Sequence, residues 1–269
     1  MISGETRQPI AGASVIIGGV PHVTDGAGQL RLSERFAATV TLDIQAQGFL
    51  DRQTGLGESR TLLSIWPKES PVGLTEDATL QIVYAGDTLL PLARLPPGVT
   101  EAVIVLSPDV LADSVFVAAH EDAVARLNAS LGGLVAYRLA TQSPGADPRR
   151  QVITTRVDPS TPGCEDTFDA YASGPLLDAF VTYCHRVDQA LIQHEVGHTF
   201  GFRHSTAISD VMHPSRRPAD FSAREVLLAS LMLQRNSGNR FPDFDRLGTA
   251  PLSAPNASEQ FRCGDRHFP

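Results

Sequence analysis

The first thing this sequence lacks is an excess of basic residues. Its 22 Lys and Arg are outnumbered by 30 Asp and Glu, a formal net charge of −8 at pH 7. That balance argues against a nucleic-acid or anionic-membrane partner held by positive charge. No apolar run approaches the roughly 20 residues that a bilayer-spanning helix needs. None of the opening residues forms a signal peptide, and the chain begins almost at once in strand-like sequence, so a processed start is expected. Cysteine is scarce: three residues permit one disulfide and a spare thiol, or none. What is present is length, since 269 residues suffice for one or two domains with a sizeable core.

The stretch with the sharpest chemistry runs from Gln193 to His204 and has the form H-E-x-x-H-x-x-G-x-x-H. On a helix, residues four apart share a face, so His194 and His198 can aim two imidazoles at one point. Asp188 is a candidate N-cap for a helix reaching Phe200, with Leu191, Ile192 and Val196 on its packed side. A tetrahedral zinc site with an open position needs three protein ligands and a water. The third ligand must come from beyond the helix. Gly201 supplies the turn, because glycine tolerates the left-handed conformation that ends helices, and His204 can then approach from below. Glu195, beside the first ligand, is placed to take a proton from water rather than to bind metal. By average composition, H-E-x-x-H arises by chance in a chain of this length roughly one time in a hundred, and adding Gly201 and His204 lowers that by about three orders of magnitude.

Eight positions after His204 comes Met212, within the turn Ser209-Asp210-Val211-Met212-His213-Pro214. In carrying the long histidine motif and then a methionine turn, the sequence resembles the metzincin metallopeptidases. The resemblance implies an α+β catalytic domain: a twisted mixed sheet, a backing helix, the active-site helix, the methionine turn and a C-terminal helix. It implies Zn2+ held by His194, His198 and His204, Glu195 as general base, and Met212 as an apolar floor rather than a ligand. It also implies a peptide substrate paired antiparallel to an edge strand, placed here at 177–182 with Leu177, Ala179 and Val181. Position 214 is proline, as in the matrixin-like pattern, where some metzincins have tyrosine. Oxyanion stabilisation would then fall to the metal and backbone donors. A secreted or extracytoplasmic location follows from the same resemblance.

Before that domain, residues 1–66 have an all-β pattern. Runs at 13–17, 29–32 and 40–44 alternate or are β-branched, with turn signals at Gly18-Gly19, 25–28 and Gln47-Gly48. Regular short strands suggest a small β-sandwich. The segments 9–15, 24–30 and 46–49 are similar to the carboxypeptidase regulatory-like (transthyretin-like) sandwich, which implies an accessory module. His22, alone there, has the setting of a surface residue. Two prolines, a glycine and charge at 66–73 mark the domain boundary, giving 1–66 and 67–269.

Past the boundary, 80–84 is a candidate strand, 91–98 a proline-rich connector and 101–107 a buried strand stopped by Pro108. Phe116, Ala119, Ala123, Leu127 and Leu131 recur at helical spacing over 114–131, ended by Gly132-Gly133. His120 in that helix is assigned a structural place. Strands at 135–140, 151–157 and 176–183 follow. The loop 158–174 holds Glu165, Asp166 and Asp169, whose oxygens would suit calcium, although a solvated acidic loop is the commoner outcome. Phe221, Ser222, Glu225 and Val226 form a capping box with a hydrophobic staple, starting a helix that fades at 236–238. Residues 239–269 have the composition of an irregular tail. Within it, Arg262-Cys263-Gly264-Asp265 is similar to the segment by which matrixin propeptides set a thiolate on zinc; pairing of Cys263 with Cys164 or Cys184, or a free thiol, stands beside that reading. His213 is a turn histidine with a surface role favoured over a second metal.

Two functions from different classes fit these residues. One is a zinc endopeptidase with an N-terminal sandwich. The other is a binding or adhesion protein in which zinc is structural. The intact Glu195 and the lack of a fourth protein ligand in the motif favour the first.

Overall fold

The computed structural model describes residues 1–269 apart from 34, 38–39, 56–61, 70–83, 86–87, 90–91, 93, 165–167, 216–217, 240–242, 245–259 and 264–269. Most of the candidate strand at 80–84 therefore lies outside the described residues. The chain divides into two compact units, Met1–Leu92 with Ser230–Leu252, and Ala93–Ala229 with Ser253–Pro269. In general terms the architecture is a small β-sheet unit followed by a mixed sheet with helices, a two-domain α+β arrangement.

In the first unit, β1 (Ile2–Ser3) pairs in parallel with β6 (Ser64–Ile65), while β2 (Ser14–Ile17), β3 (Val20–Val23), β4 (Thr41–Gln45) and β5 (Arg52–Gly55) form an antiparallel sheet in the order β3-β2-β4-β5. A two-stranded ladder joins β7 (Tyr84–Ala85) and β8 (Thr88–Leu89). The period-two alternation sends Val15, Ile17, Leu42 and Ile44 inward, and they form a core with Ile10, Ala13 and Ile65. The run at 29–32 is not a strand. Asp25 Oδ1 accepts from Ala27 N and Gln29 N, and Gly28 sits at φ 68°, so this stretch closes a turn and delivers Leu30 and Leu32 to the core as loop residues. The partner of β2 is β3 instead. Pro21 is accommodated there because β3 is an edge strand.

Residues just after the last helix do not trail away. Arg235, buried, forms a two-pronged ion pair with Asp243 at 2.6 and 2.7 Å and donates to Ser64 Oγ. Asn239 Nδ2 donates to Asp243 Oδ1 at 2.7 Å, and Leu92 N donates to Asn239 O at 2.8 Å. Sequence composition gives no hint of this return, because one buried Arg–Asp pair has no periodicity.

The second unit is built on β9 (Glu101–Val105), α1 (Pro108–Leu111), α2 (Ser114–Leu131), β10 (Ala136–Ala140), β11 (Arg150–Val157), β12 (Ala170–Ser173), β13 (Asp178–Tyr183), α3 (Gln189–Phe200), the part of α4 (Ala223–Leu233) up to Ala229, and β14 (Gln260–Cys263). Its sheet has the order β10-β9-β11-β13-β12-β14. The pairs among β10, β9, β11 and β13 are parallel, and β12 is antiparallel to both β13 and β14. Parallel strands need a crossover, which α2 provides between β9 and β10. Ala102, Val103, Ile104 and Val105 are all buried, as a strand covered on both faces requires.

Asp113 caps α2 by accepting from Val115 N and Phe116 N. The buried face of α2 is Phe116, His120, Ala123, Leu127 and Leu131, so His120 occupies the inward position expected of Ala119. Its ring packs against Phe116 and Tyr183, and its Nδ1 donates to Phe116 O at 2.8 Å. Burial lowers its pKa from the ordinary 6.5 to about 4. The folded protein thus keeps this imidazole neutral while the unfolded chain protonates, so stability present above pH 6.5 is lost as pH falls toward 4.

Two expectations follow from these contacts. Asp243→Ala strands a buried guanidinium and should lower the unfolding free energy by about 3–5 kcal/mol in chemical denaturation; a loss under 1 kcal/mol would show that water reaches Arg235. The stability advantage of the wild-type chain over His120→Leu, both metal-free, should shrink by about 3 kcal/mol between pH 7 and pH 4. A flat difference would mean that the histidine titrates normally.

Candidate metal centre

Asp188 opens α3 by accepting from Leu191 N at 2.9 Å. Every residue from Ala190 to Phe200 is buried, so the helix is enclosed on all sides rather than amphipathic. Its end is tied down twice: Gln151 Nε2 donates to Thr199 O at 2.7 Å, and Leu95 N to Phe200 O at 3.2 Å. Gly201 then takes φ 126°, a conformation that L side chains rarely adopt. Its N–H and that of Phe202 both return to Gly197 O. The turn therefore does two things. It sends the chain back toward His204, and it places the Phe202 carbonyl where His198 Nδ1 donates to it at 2.8 Å.

The ring centroids of His194, His198 and His204 lie 4.8, 5.3 and 4.9 Å apart, and one nitrogen from each falls within 4.8 Å of the others. His194 and His198 are fully buried and His204 is half-buried. His194 Nδ1 donates to Val211 O at 2.7 Å. Because both helix histidines spend Nδ1–H on a carbonyl, the acceptor lone pair of each neutral ring lies on Nε2. Nitrogens gathered this closely would be able to hold one ion between them. Three neutral nitrogens suit zinc and not a hard oxygen-seeking cation. Glu195 is buried beside the first of them. Its charge is felt by Tyr183, whose phenol is pushed up first by burial and then by Glu195.

Met212 lies against the helix. A methyl group in place of the Gly197 hydrogen would stand 2.4 Å from Met212 Sδ, which is why the helix carries glycine at that point. The turn bearing Met212 is held by two carboxylates that sequence reading had not assigned to it. Glu225, the acid of the capping box on α4, accepts from Ser222 N at 2.8 Å, Val211 N at 3.1 Å and Met212 N at 2.9 Å. Asp210, wholly buried, accepts from Ser205 Oγ at 2.5 Å and Ser222 Oγ at 2.8 Å and is paired with Arg224. Burial pushes Glu225 up to about 7 while the backbone N–H groups pull it down. The capping box was visible in sequence; its reach to the turn was not, since the two segments meet only in three dimensions.

The other expected residues are dispersed. Ala179 and Val181 lie in β13, with Leu177 just before it; β13 is bonded to β11 on one side and β12 on the other, so a peptide could add there only by displacing a strand. The outer side of β12 is taken by β14. Cys164 is joined to Cys184, which leaves Cys263 outside that bond. Of the calcium candidates, Glu165 and Asp166 lie outside the described residues, and Asp169 faces His185 at 3.5 Å. His120, His22 and His213 take no part in the three-histidine group, which is the one such cluster among the described residues. A cavity of about 370 Å³ lined by Arg156, Asp158, Tyr171 and neighbours is lined by none of the three histidines.

A cluster of this kind defines a protein with the capacity to bind a metal ion. No protein-family profile and no curated protein matches the chain. Among solved structures it is similar to metalloproteinase-II from Bacteroides fragilis, at 15% identity over 72% of this chain and 76% of that one, with a TM-score of 0.33. A likeness that weak carries neither function nor detail of fold. No helix among the described residues is long and apolar enough to cross a membrane.

Gly197→Ala tests the floor. Helix propensity alone would stabilise by about 1 kcal/mol, whereas overpacking against Met212 costs about 1–3 kcal/mol. Net destabilisation in thermal or chemical unfolding is expected, and a stabilised variant would show that Met212 yields freely.

Proposed function

We propose that the chain is a zinc-dependent peptidase of the metzincin type, acting as an endopeptidase, with its N-terminal β module as an accessory. The observation that carries this reading is the convergence of three imidazoles, two with orientation fixed by carbonyls, beside the buried carboxylate of Glu195. In it, His194, His198 and His204 hold the ion. Bound zinc would supply Lewis acidity, polarising a peptide carbonyl and bringing the pKa of water to near neutrality. Glu195 takes the proton of the attacking water and returns it to the departing amine, the work of a general base and then a general acid. Met212 forms the apolar floor, and Pro214, without a hydroxyl, offers no side-chain donor to the carbonyl oxygen under attack, which backbone N–H groups would serve. The substrate is a protein or peptide; the net negative charge of the chain argues against nucleic acid. A secreted or extracytoplasmic setting belongs to the same proposal and accords with the Cys164–Cys184 bond.

Glu195→Gln distinguishes catalysis from a structural zinc role. The variant should take up one zinc per chain as the parent does, while cleavage of a mixed peptide library falls by about 10²–10⁴-fold. Undiminished cleavage would remove Glu195 from the mechanism. A parent chain that binds zinc and cleaves nothing would favour the structural role.

A further inference from the structure

We propose that Glu225 is a positioning residue for the metal centre, acting on His194 through the peptide group that joins Val211 to Met212. This rests on the metal-site reading above and extends it to a residue on a different helix. One peptide unit carries both contacts. Its carbonyl, Val211 O, accepts from His194 Nδ1 at 2.7 Å, and its N–H, Met212 N, donates to Glu225 Oε1 at 2.9 Å. The order is carboxylate, peptide N–H, peptide C=O, imidazole N–H, which leaves Nε2 as the nitrogen that would hold an ion.

Hydrogen bonds in such a chain polarise one another. A carboxylate on the N–H side draws the peptide proton toward itself and leaves more negative charge on the carbonyl oxygen. That oxygen then holds the Nδ1 proton more firmly, and the far nitrogen becomes the better donor to a cation. Carboxylates bonded directly to a ligand histidine act in this way. Here a peptide group is interposed.

Three features support a role beyond capping α4. A capping box asks Glu225 only for the bond to Ser222 N, yet the same carboxylate also takes Val211 N and Met212 N, fixing both sides of the residue whose carbonyl orients His194. Its hydrogen bonds here come from backbone N–H groups, and the charge of Asp210, itself paired with Arg224, acts on it from nearby. The arrangement is also one-sided. His198 Nδ1 donates instead to Phe202 O, a carbonyl on a different peptide group from the two N–H groups of the turn that Glu225 holds. His198 is therefore an internal reference.

The test uses the full chain at pH 8, above the value of about 7 to which burial raises Glu225. Zinc affinity of the metal-free protein is measured by competition with a chelator, for the parent, Glu225→Gln and Ser222→Ala. Glu225→Gln keeps the shape and removes the charge; Ser222→Ala removes the hydroxyl that caps Glu225 N and one of the two hydroxyls on Asp210, and leaves the Glu225 carboxylate on the turn, so it controls for loosening of the turn without loss of charge. A relay predicts that Glu225→Gln weakens zinc binding about tenfold, while Ser222→Ala leaves affinity unchanged though it lowers the melting temperature. In the same metal-free samples, the His194 Nδ1–H proton resonance should move upfield in Glu225→Gln and that of His198 should stay. Equal affinity of parent and Glu225→Gln, or equal losses in both variants, would reduce Glu225 to a cap and overturn the proposal, with the metal site itself untouched. A parent chain that binds no zinc overturns the metal-site reading and this one together. If Glu225→Gln does not fold, the unaltered protein still decides: couplings across the hydrogen bonds from Met212 N to the Glu225 carboxylate and from His194 Nδ1 to the Val211 carbonyl must both be present, and the absence of either refutes the relay.

Discussion

The centre depends on two imidazole N–H groups being held by backbone carbonyls. A histidine free to rotate offers either nitrogen in any direction, and three such rings would rarely face one another. Here Val211 O and Phe202 O fix the tautomer and the ring plane of His194 and His198. Each carbonyl is in turn fixed by something else. Phe202 owes its position to the positive-φ turn at Gly201, and Val211 owes its own to Glu225 and to Ser205 N, which donates to Met212 O at 2.8 Å. The cluster is thus the end of two short chains of constraint, one running through the helix end and one through the methionine turn.

These constraints explain why some parts of the structure are legible in the sequence and others are not. The helix at 189–200, its Asp188 cap and the run over 114–131 announce themselves by local spacing, because their determining contacts are three and four residues apart. The meeting of three histidines is equally local, since all lie within eleven consecutive residues. What failed to announce itself is non-local. Asp210 and Glu225 look like ordinary acids until the turn and α4 meet, and Arg235 looks like a surface residue until Asp243 folds back onto it. The strand at 20–23 was hidden for a different reason: its proline counts against a strand unless the strand is at an edge. The run at 29–32 erred in the opposite sense, since two inward leucines can reach a core from a turn.

Enclosure of α3 has a thermodynamic side. A polar, histidine-bearing helix buried on all faces is costly unless its polar groups find partners. Gln193 Nε2 donates to Ala219 O at 2.8 Å and Thr199 Oγ1 to Val196 O at 2.8 Å, so several of these groups are answered inside the unit. Rigid surroundings of this kind favour a site whose geometry exists before any ion arrives.

The short last strand has a further effect on how the molecule behaves in a crowd of its own copies. β12 would otherwise end the sheet and present an open ladder, the sort of template on which identical chains stack. Four residues of β14 cover that ladder, so among the described residues the border of the sheet is a short strand, one of the ways in which sheet edges are blunted. Capping of that ladder is accordingly the work of a few residues far along the chain from the strand they shield.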